Sequence, residues 1–411
     1  MALTKLTTDL IDGSLGTDWQ ATPKTSSFTA VAGEGYFVYT TSAAITVTLP
    51  SSPSVGDEVG ILDYASNAAT NNITIDPGTL NFRGATDDLV LSTNNQSARL
   101  IYSGATKGWL IFTEAGGIVA PLPDLTVDYL VVAGGGGGGG PISGGGGAGG
   151  LRTSYGSTQG GGQSSESSLT LDTSTNYTVT VGGGGSGGFD TGVGGITNGS
   201  NGVNSVFSTI ISIGGGTSQN YNGIGIDGGS GGGSPRRSTT NWGDAVTSPV
   251  IHGYRGGGGS TTGGTDNQGS GGGGGGAGSV GGNASGSTSG TGGSGLAVSI
   301  TGSSVAYAGG GGGGAYNGTG GSGTDGGGNG SGGTVAATNG SPNIGAGGGA
   351  GGFPTTRTGG DGGSGVVILR YPSAYTISET TSAQLTFTTA TDGSDKVTVF
   401  TGGDGTIEFT T

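Results

Sequence analysis

The stretch Val127-Asp-Tyr-Leu-Val-Val-Ala133 runs without a break into seven consecutive glycines, Gly134–Gly140. The first half reads as a buried strand, and the second half has no side chain to bury. The same juxtaposition recurs along the chain. Tyr177–Val181 leads into Gly182–Gly185, Val203–Ile213 precedes Gly214–Gly216, and Leu296–Ile300 and Ser304–Ala308 precede Gly309–Gly314. Val366-Val-Ile-Leu-Arg-Tyr371 closes the series. A strand followed by a glycine run is therefore the repeating unit, irregular in length and without the fixed period of a solenoid. The first and last strands are both near-continuous apolar runs and are expected to pair, closing the domain at its base.

Long glycine runs ordinarily form flexible linkers, because glycine loses the most conformational entropy on folding. A collagen helix is excluded, since the runs keep no strict three-residue repeat and the chain has only 12 prolines. The ordered option is an extended helix of three residues per turn, rising about 3.1 Å per residue. Without Cβ atoms such rods approach closely enough to hydrogen-bond through their backbones, each bond contributing about 0.5–1.5 kcal/mol net. Stability then needs little apolar burial, which suits this composition. Of 411 residues 106 are glycine, 30% are hydrophobic and 9% are charged.

Glycine also marks the organisation, with 90 of the 106 glycines between Val127 and Tyr371. The expected divisions are an anchoring segment at 1–21, a β-sandwich module at 22–114, a linker at 115–126, the glycine-rich domain at 127–371 and a β segment at 372–411. In the module, strands are expected at Tyr36–Tyr39, Ile45–Leu49, Val59–Leu62, Ile73–Ile75, Leu89–Leu91, Ala98–Tyr102 and Trp109–Phe112, set between turn-formers such as Pro53, Gly56 and Gly78. Trp109, among Leu110, Ile111 and Phe112, reads as a core or subunit-contact residue rather than a sugar-stacking platform. Leu3, Leu6, Leu10 and Ile11 have helical spacing, as an anchor or a frayed terminus. The tail has four short alternating runs, too small to stand alone, and is expected to pack on a neighbour. The fold class is mainly β, with almost no α-helix.

Composition also narrows the chemistry. With no cysteine and a single histidine, redox and zinc catalysis are not expected. No apolar run is long enough for a membrane span, and the start lacks the pattern of a signal peptide. The net charge of −14, with 12 Lys and Arg, argues against nucleic acid. Glycine-rich fingerprints arise here by composition, and no run ends in the Gly-Lys-Ser/Thr of a phosphate loop, so no cofactor is expected. Gly320–Asp325 matches six positions of a calcium repeat without a tandem copy, so no metal site is assigned. The adjacent acids Asp57-Glu58 and Asp87-Asp88 point to opposite strand faces and do not form an acid–base pair.

The richest chemical island is Thr217–Arg255, which holds Tyr221, Arg236, Arg237, Trp242, Asp244, His252, Tyr254 and Arg255. Aromatic and arginine side chains of this kind suit recognition of a carbohydrate or a protein surface, or else cover glycine rods or join subunits. Tyr316 with Asn317, Tyr155 and Phe353–Arg357 are smaller candidates.

Val127–Gly140, Ser304–Gly314 and Gly363–Pro372 resemble the glycine-rich domain of bacteriophage tail-fibre and tail-associated proteins of marine and cyanobacterial phages. Leu3–Gly13 is similar to N-terminal segments of such fibres, and Phe28–Phe37 resembles a module found beside them. The resemblance implies a non-enzymatic virion protein located extracellularly on the phage tail. It further implies a homotrimer attached to other tail proteins through its N-terminal region, binding a bacterial surface glycan or outer-membrane protein through loops. A capsid decoration or head-fibre protein and a capsule-degrading spike are the alternatives.

Overall fold

The computed structural model describes residues 17–112, 125–190, 195–220, 222–261, 269–355, 357–381 and 384–411. Two compact units divide the chain, Met1–Pro123 and Asp124–Thr411. Most of the expected anchor and linker lie outside the described residues.

Among the described residues the first unit has nine strands: β1 (Asp18–Lys24), β2 (Phe28–Thr29), β3 (Glu34–Val38), β4 (Ile45–Thr48), β5 (Glu58–Asp63), β6 (Ile73–Asp76), β7 (Leu89–Leu91), β8 (Ser97–Tyr102) and β9 (Trp109–Phe112). They form two sheets, ordered β1-β3-β5-β8-β9 and β2-β4-β6-β7. Alternation in each strand sends one set of side chains inward, so Tyr36, Val38, Val59, Ile61, Leu100 and Trp109 meet Ile45, Val47, Ile73, Ile75 and Leu91 in one core. That is the expected sandwich, but its winding differs from an antiparallel one. The chain steps between sheets from β1 to β6, pairing β1 with β3, β3 with β5, β2 with β4 and β4 with β6 in parallel. Only β7, β8 and β9 pair antiparallel. The expected start of this module at residue 22 falls inside β1, which belongs to the sheet.

In the second unit, the expected pairing of first and last strands is present. Thr126–Val132 pairs antiparallel with Val366–Pro372, from Asp128 opposite Arg370 to Val132 opposite Val366. Above this base the glycine segments form rods. Gly134 and Gly137 donate to Val203 and Ser200, Gly135 and Gly138 to Gly363 and Gly360, and Gly136 and Gly139 to Gly147 and Gly144, all at 2.9–3.1 Å. Partners recur every third residue in three directions, as a helix of three residues per turn requires. The rod 143–150 is enclosed on six sides. It donates to segments 272–275, 345–348 and 213–216, and accepts from 136–139, 311–314 and 230–233.

The sequence must be glycine there because of Cβ, not φ. A Cβ on Gly135 or Gly138 would lie 2.0 Å from a neighbouring carbonyl oxygen, and one on Gly146 2.1 Å from that of Gly136. None of these three glycines has a positive φ. Where a rod faces outward the constraint vanishes with the same period. A Cβ on Gly183 would meet nothing within 4 Å, and three residues on stands Ser186. Amides at the lattice edge are satisfied by short side chains instead. Asp361 Oδ1 accepts from Gly187 (2.8 Å), Asn283 Oδ1 from Gly258 (2.7 Å) and Asp325 Oδ2 from Gly295 (2.7 Å).

An apolar plug closes the near end of the rods, built from Leu130, Val132, Ala148, Leu151, Ala277, Ile300, Tyr307, Val366 and Ile368. The tail completes this base rather than forming a separate segment. Asp395–Gly402 pairs with Val366–Pro372, and Asp404–Thr410 pairs with Tyr177–Thr180. Residue 372 is therefore a boundary of composition, while the compact unit runs to Thr411.

Candidate functional site

Successive rods run away from the base and back, so alternate connections gather at the far end. Backbone bonds tie these connections into one face: Ile142 donates to Gly351 (2.8 Å), Arg236 to Ile142 (3.2 Å), Tyr316 to Gly269 (3.2 Å) and Asn317 to Phe353 (3.1 Å). On this face Tyr316 and Phe353 stack with ring centroids 5.0 Å apart and planes at 14°. The Arg357 guanidinium lies 4.6 Å above the Phe353 ring and pairs with Asp190 at 3.3 Å. Beside them the hairpin strands Phe189–Asp190 and Ile196–Thr197 leave Phe189 44% exposed. Flat aromatic surface plus a directed cation can hold a sugar ring or a peptide edge.

The island Thr217–Arg255 is not one loop, because the enclosed rod 229–234 passes through it. Its residues therefore separate. Tyr221 lies outside the described residues. Arg237 is exposed, whereas Arg236 is 8% exposed and packs its side chain beside Gly269, so it is no open contact. Trp242, Asp244, Tyr254 and Arg255 do come together on the side of the lattice. Arg255 stacks its guanidinium 4.0 Å from the Trp242 ring centre and donates to the Gly256 carbonyl (2.9 Å). A cleft of about 650 Å³ adjoins them, lined by Asp227, Asp244, Thr247, Tyr254, Arg255 and Val280. Asp227 Oδ1 accepts from the Asp244 amide at 2.7 Å, which orients one carboxylate of the cleft.

His252 is corrected from a contact residue to a core one. It is fully buried, and its Nδ1 accepts from the Ile213 amide at 3.2 Å, which leaves the proton on an Nε2 without a hydrogen-bond partner. Burial, then the charge of Arg152, pushes its pKa down to about 4. Arg152 is itself locked to Glu166 by two bonds of 2.8 and 2.5 Å. Burial and the Glu166 carboxylate push the Tyr129 phenol above its ordinary range. This buried network joins the strand Leu151–Thr153 to the base and offers no open face to a ligand. Tyr155 also belongs to the base, beneath the Arg370 guanidinium at 5.8 Å.

Among the described residues no group of three His, Cys, Asp or Glu could hold a metal, and Asp325 of the calcium-like phrase caps a rod amide. Sequence reasoning missed Phe189-Asp190, although these residues end a glycine run as Phe353 and Tyr316 do. No curated protein matches the sequence. A family model described as a glycine-rich domain matches residues 113–372, more than half of the chain, and the protein belongs to that glycine-rich domain family.

Proposed function

We propose that the protein is a non-enzymatic bacteriophage virion protein, a tail fibre or adhesin, that meets the bacterial surface with the far-end face of its glycine-rich unit. The observation carrying this reading is the convergence of Tyr316, Phe353, Arg357, Asp190 and Phe189 on the end opposite the apolar base. A lattice of backbone bonds holds such a face with little side-chain entropy left to lose, which favours recognition by preorganisation. The resemblance of the glycine-rich phrases to phage tail proteins supplies the biological setting, with attachment through the N-terminal region and assembly as a homotrimer.

Deleting Thr217–Arg255 would remove an enclosed rod and collapse the lattice, so the test uses surface changes. Purified chain added to susceptible cells is expected to block phage adsorption, and the double variant Tyr316→Ala/Phe353→Ala to lose that block at unchanged melting temperature. Full blocking by the double variant contradicts the assignment of this face. Gold-labelled antibody over the capsid, instead of the distal tail, contradicts the tail assignment.

A further inference from the structure

The first unit carries a second aromatic surface, on the outward face of the β1-β3-β5 sheet. Trp19 on β1 stands opposite Gly35 on β3, which stands opposite Gly60 on β5. Glycine inside a strand weakens it and marks a close approach, and here the approaching group is the indole. A Cβ on Gly35 would lie 2.6 Å from the Trp19 ring, and one on Gly60 3.2 Å from it. The ring therefore lies flat across two strands, and the residue remains 43% exposed. Phe37, two residues beyond Gly35 and on the same face, follows at 5.1 Å between ring centroids. Tyr64 lies 5.8 Å from Phe37, and Tyr39 6.0 Å from Tyr64. Four rings thus form a strip along β3, with Tyr39 40% and Tyr64 55% exposed. Arg99, opposite Gly60 in the same cross-strand row, is paired to Glu58 at 2.6 Å and sets a polar group at the strip's edge.

We propose that this strip binds an uncharged polysaccharide, its sugar rings stacking on Trp19, Phe37, Tyr64 and Tyr39. Large exposed apolar patches mark binding surfaces, and successive rings 5.1–6.0 Å apart, turned 36–63° from one another, suit the successively rotated units of a sugar polymer better than the irregular relief of a protein. Charge decides against nucleic acid, whose bases also stack on such platforms. Residues 17–112 contain Lys24, Arg83, Arg99 and Lys107 against eight Asp and Glu, so a phosphate backbone is repelled. The inference is independent of the far-end face, which belongs to the other unit.

The test is affinity gel electrophoresis of the full chain through gels cast with hydroxyethyl cellulose, xyloglucan, galactomannan or laminarin. At least one is expected to retard the wild-type chain. Trp19→Ala is expected to weaken that retardation about tenfold, as loss of one stacking ring does, while Trp19→Phe retains part of it. Val335→Ala, an exposed side chain of the other unit that belongs to neither candidate site, is expected to leave it unchanged. Circular dichroism and analytical ultracentrifugation of each variant accompany the gels. Absence of retardation by every polymer, or equal retardation of Trp19→Ala, overturns the proposal. So does a fall in oligomer size in Trp19→Ala, which would make the strip a contact between copies.

Discussion

The two units solve the same problem with opposite materials. In the first, side chains exclude water: Trp109, Leu100, Ile61 and Ile75 fill a sandwich core and the backbone pairs mainly within two sheets. In the second, the backbone itself is the packing material. Around Gly144–Gly150 carbonyls and amides meet six neighbouring segments, and the space a Cβ would take is already filled by oxygen. The buried apolar cluster that meets the rods there is the plug at the base. The comparison teaches that a low-hydrophobicity chain can fold when removing side chains lets unmet backbone groups find partners in three directions.

This contrast breaks first at the sandwich core. Trp109→Ala empties a fully buried site and is expected to destabilise the first unit by about 3–5 kcal/mol. Amide exchange should then accelerate in β3–β9 while Gly144–Gly150 keeps its protection. Equal acceleration in both would mean that they unfold as one.

A smaller effect sharpens the account of the second unit. His252 has its pKa pushed down to about 4 from 6.5. The unfolded chain therefore takes up a proton as pH falls below about 6.5 that the folded protein refuses until about 4, so stability declines across that window. The linkage amounts to roughly 3 kcal/mol when complete. His252→Gln is expected to flatten the fall in melting temperature between pH 6.5 and 4, and an unchanged slope would place the titrating group elsewhere.

The sandwich strands were legible because alternation such as Ile45-Thr-Val-Thr48 and Ile73-Thr-Ile-Asp76 is a local pattern. The parallel winding was not, since strand order depends on which sheet each connection reaches. The edge strands β1 and β2 were missed because neither carries an alternating apolar run: β1 reads Asp-Trp-Gln-Ala-Thr-Pro-Lys and β2 is only Phe28-Thr29. In the glycine-rich unit, rods and their pairing strands followed from composition, but the partner of each rod did not. That is why Trp242 and Arg255, 13 positions apart, meet across two rods, while His252 between them turns into the core. The role of Asp361 and Asp325 also escaped the sequence, because they cap amides that only the finished lattice leaves at its edge.

Each rod turns once every three residues, and oxygen occupies the Cβ positions that face its neighbours. Two alanine substitutions in one rod test this. A Cβ on Gly185 would lie 2.0 Å from the Ser200 oxygen, whereas one on Gly183 meets nothing within 4 Å. Gly185→Ala is expected to destabilise the glycine-rich unit by about 1–3 kcal/mol through overpacking. Gly183→Ala should leave it unchanged or raise its stability by up to about 1 kcal/mol, because the unfolded chain loses freedom. Equal melting temperatures for the two variants would contradict the lattice.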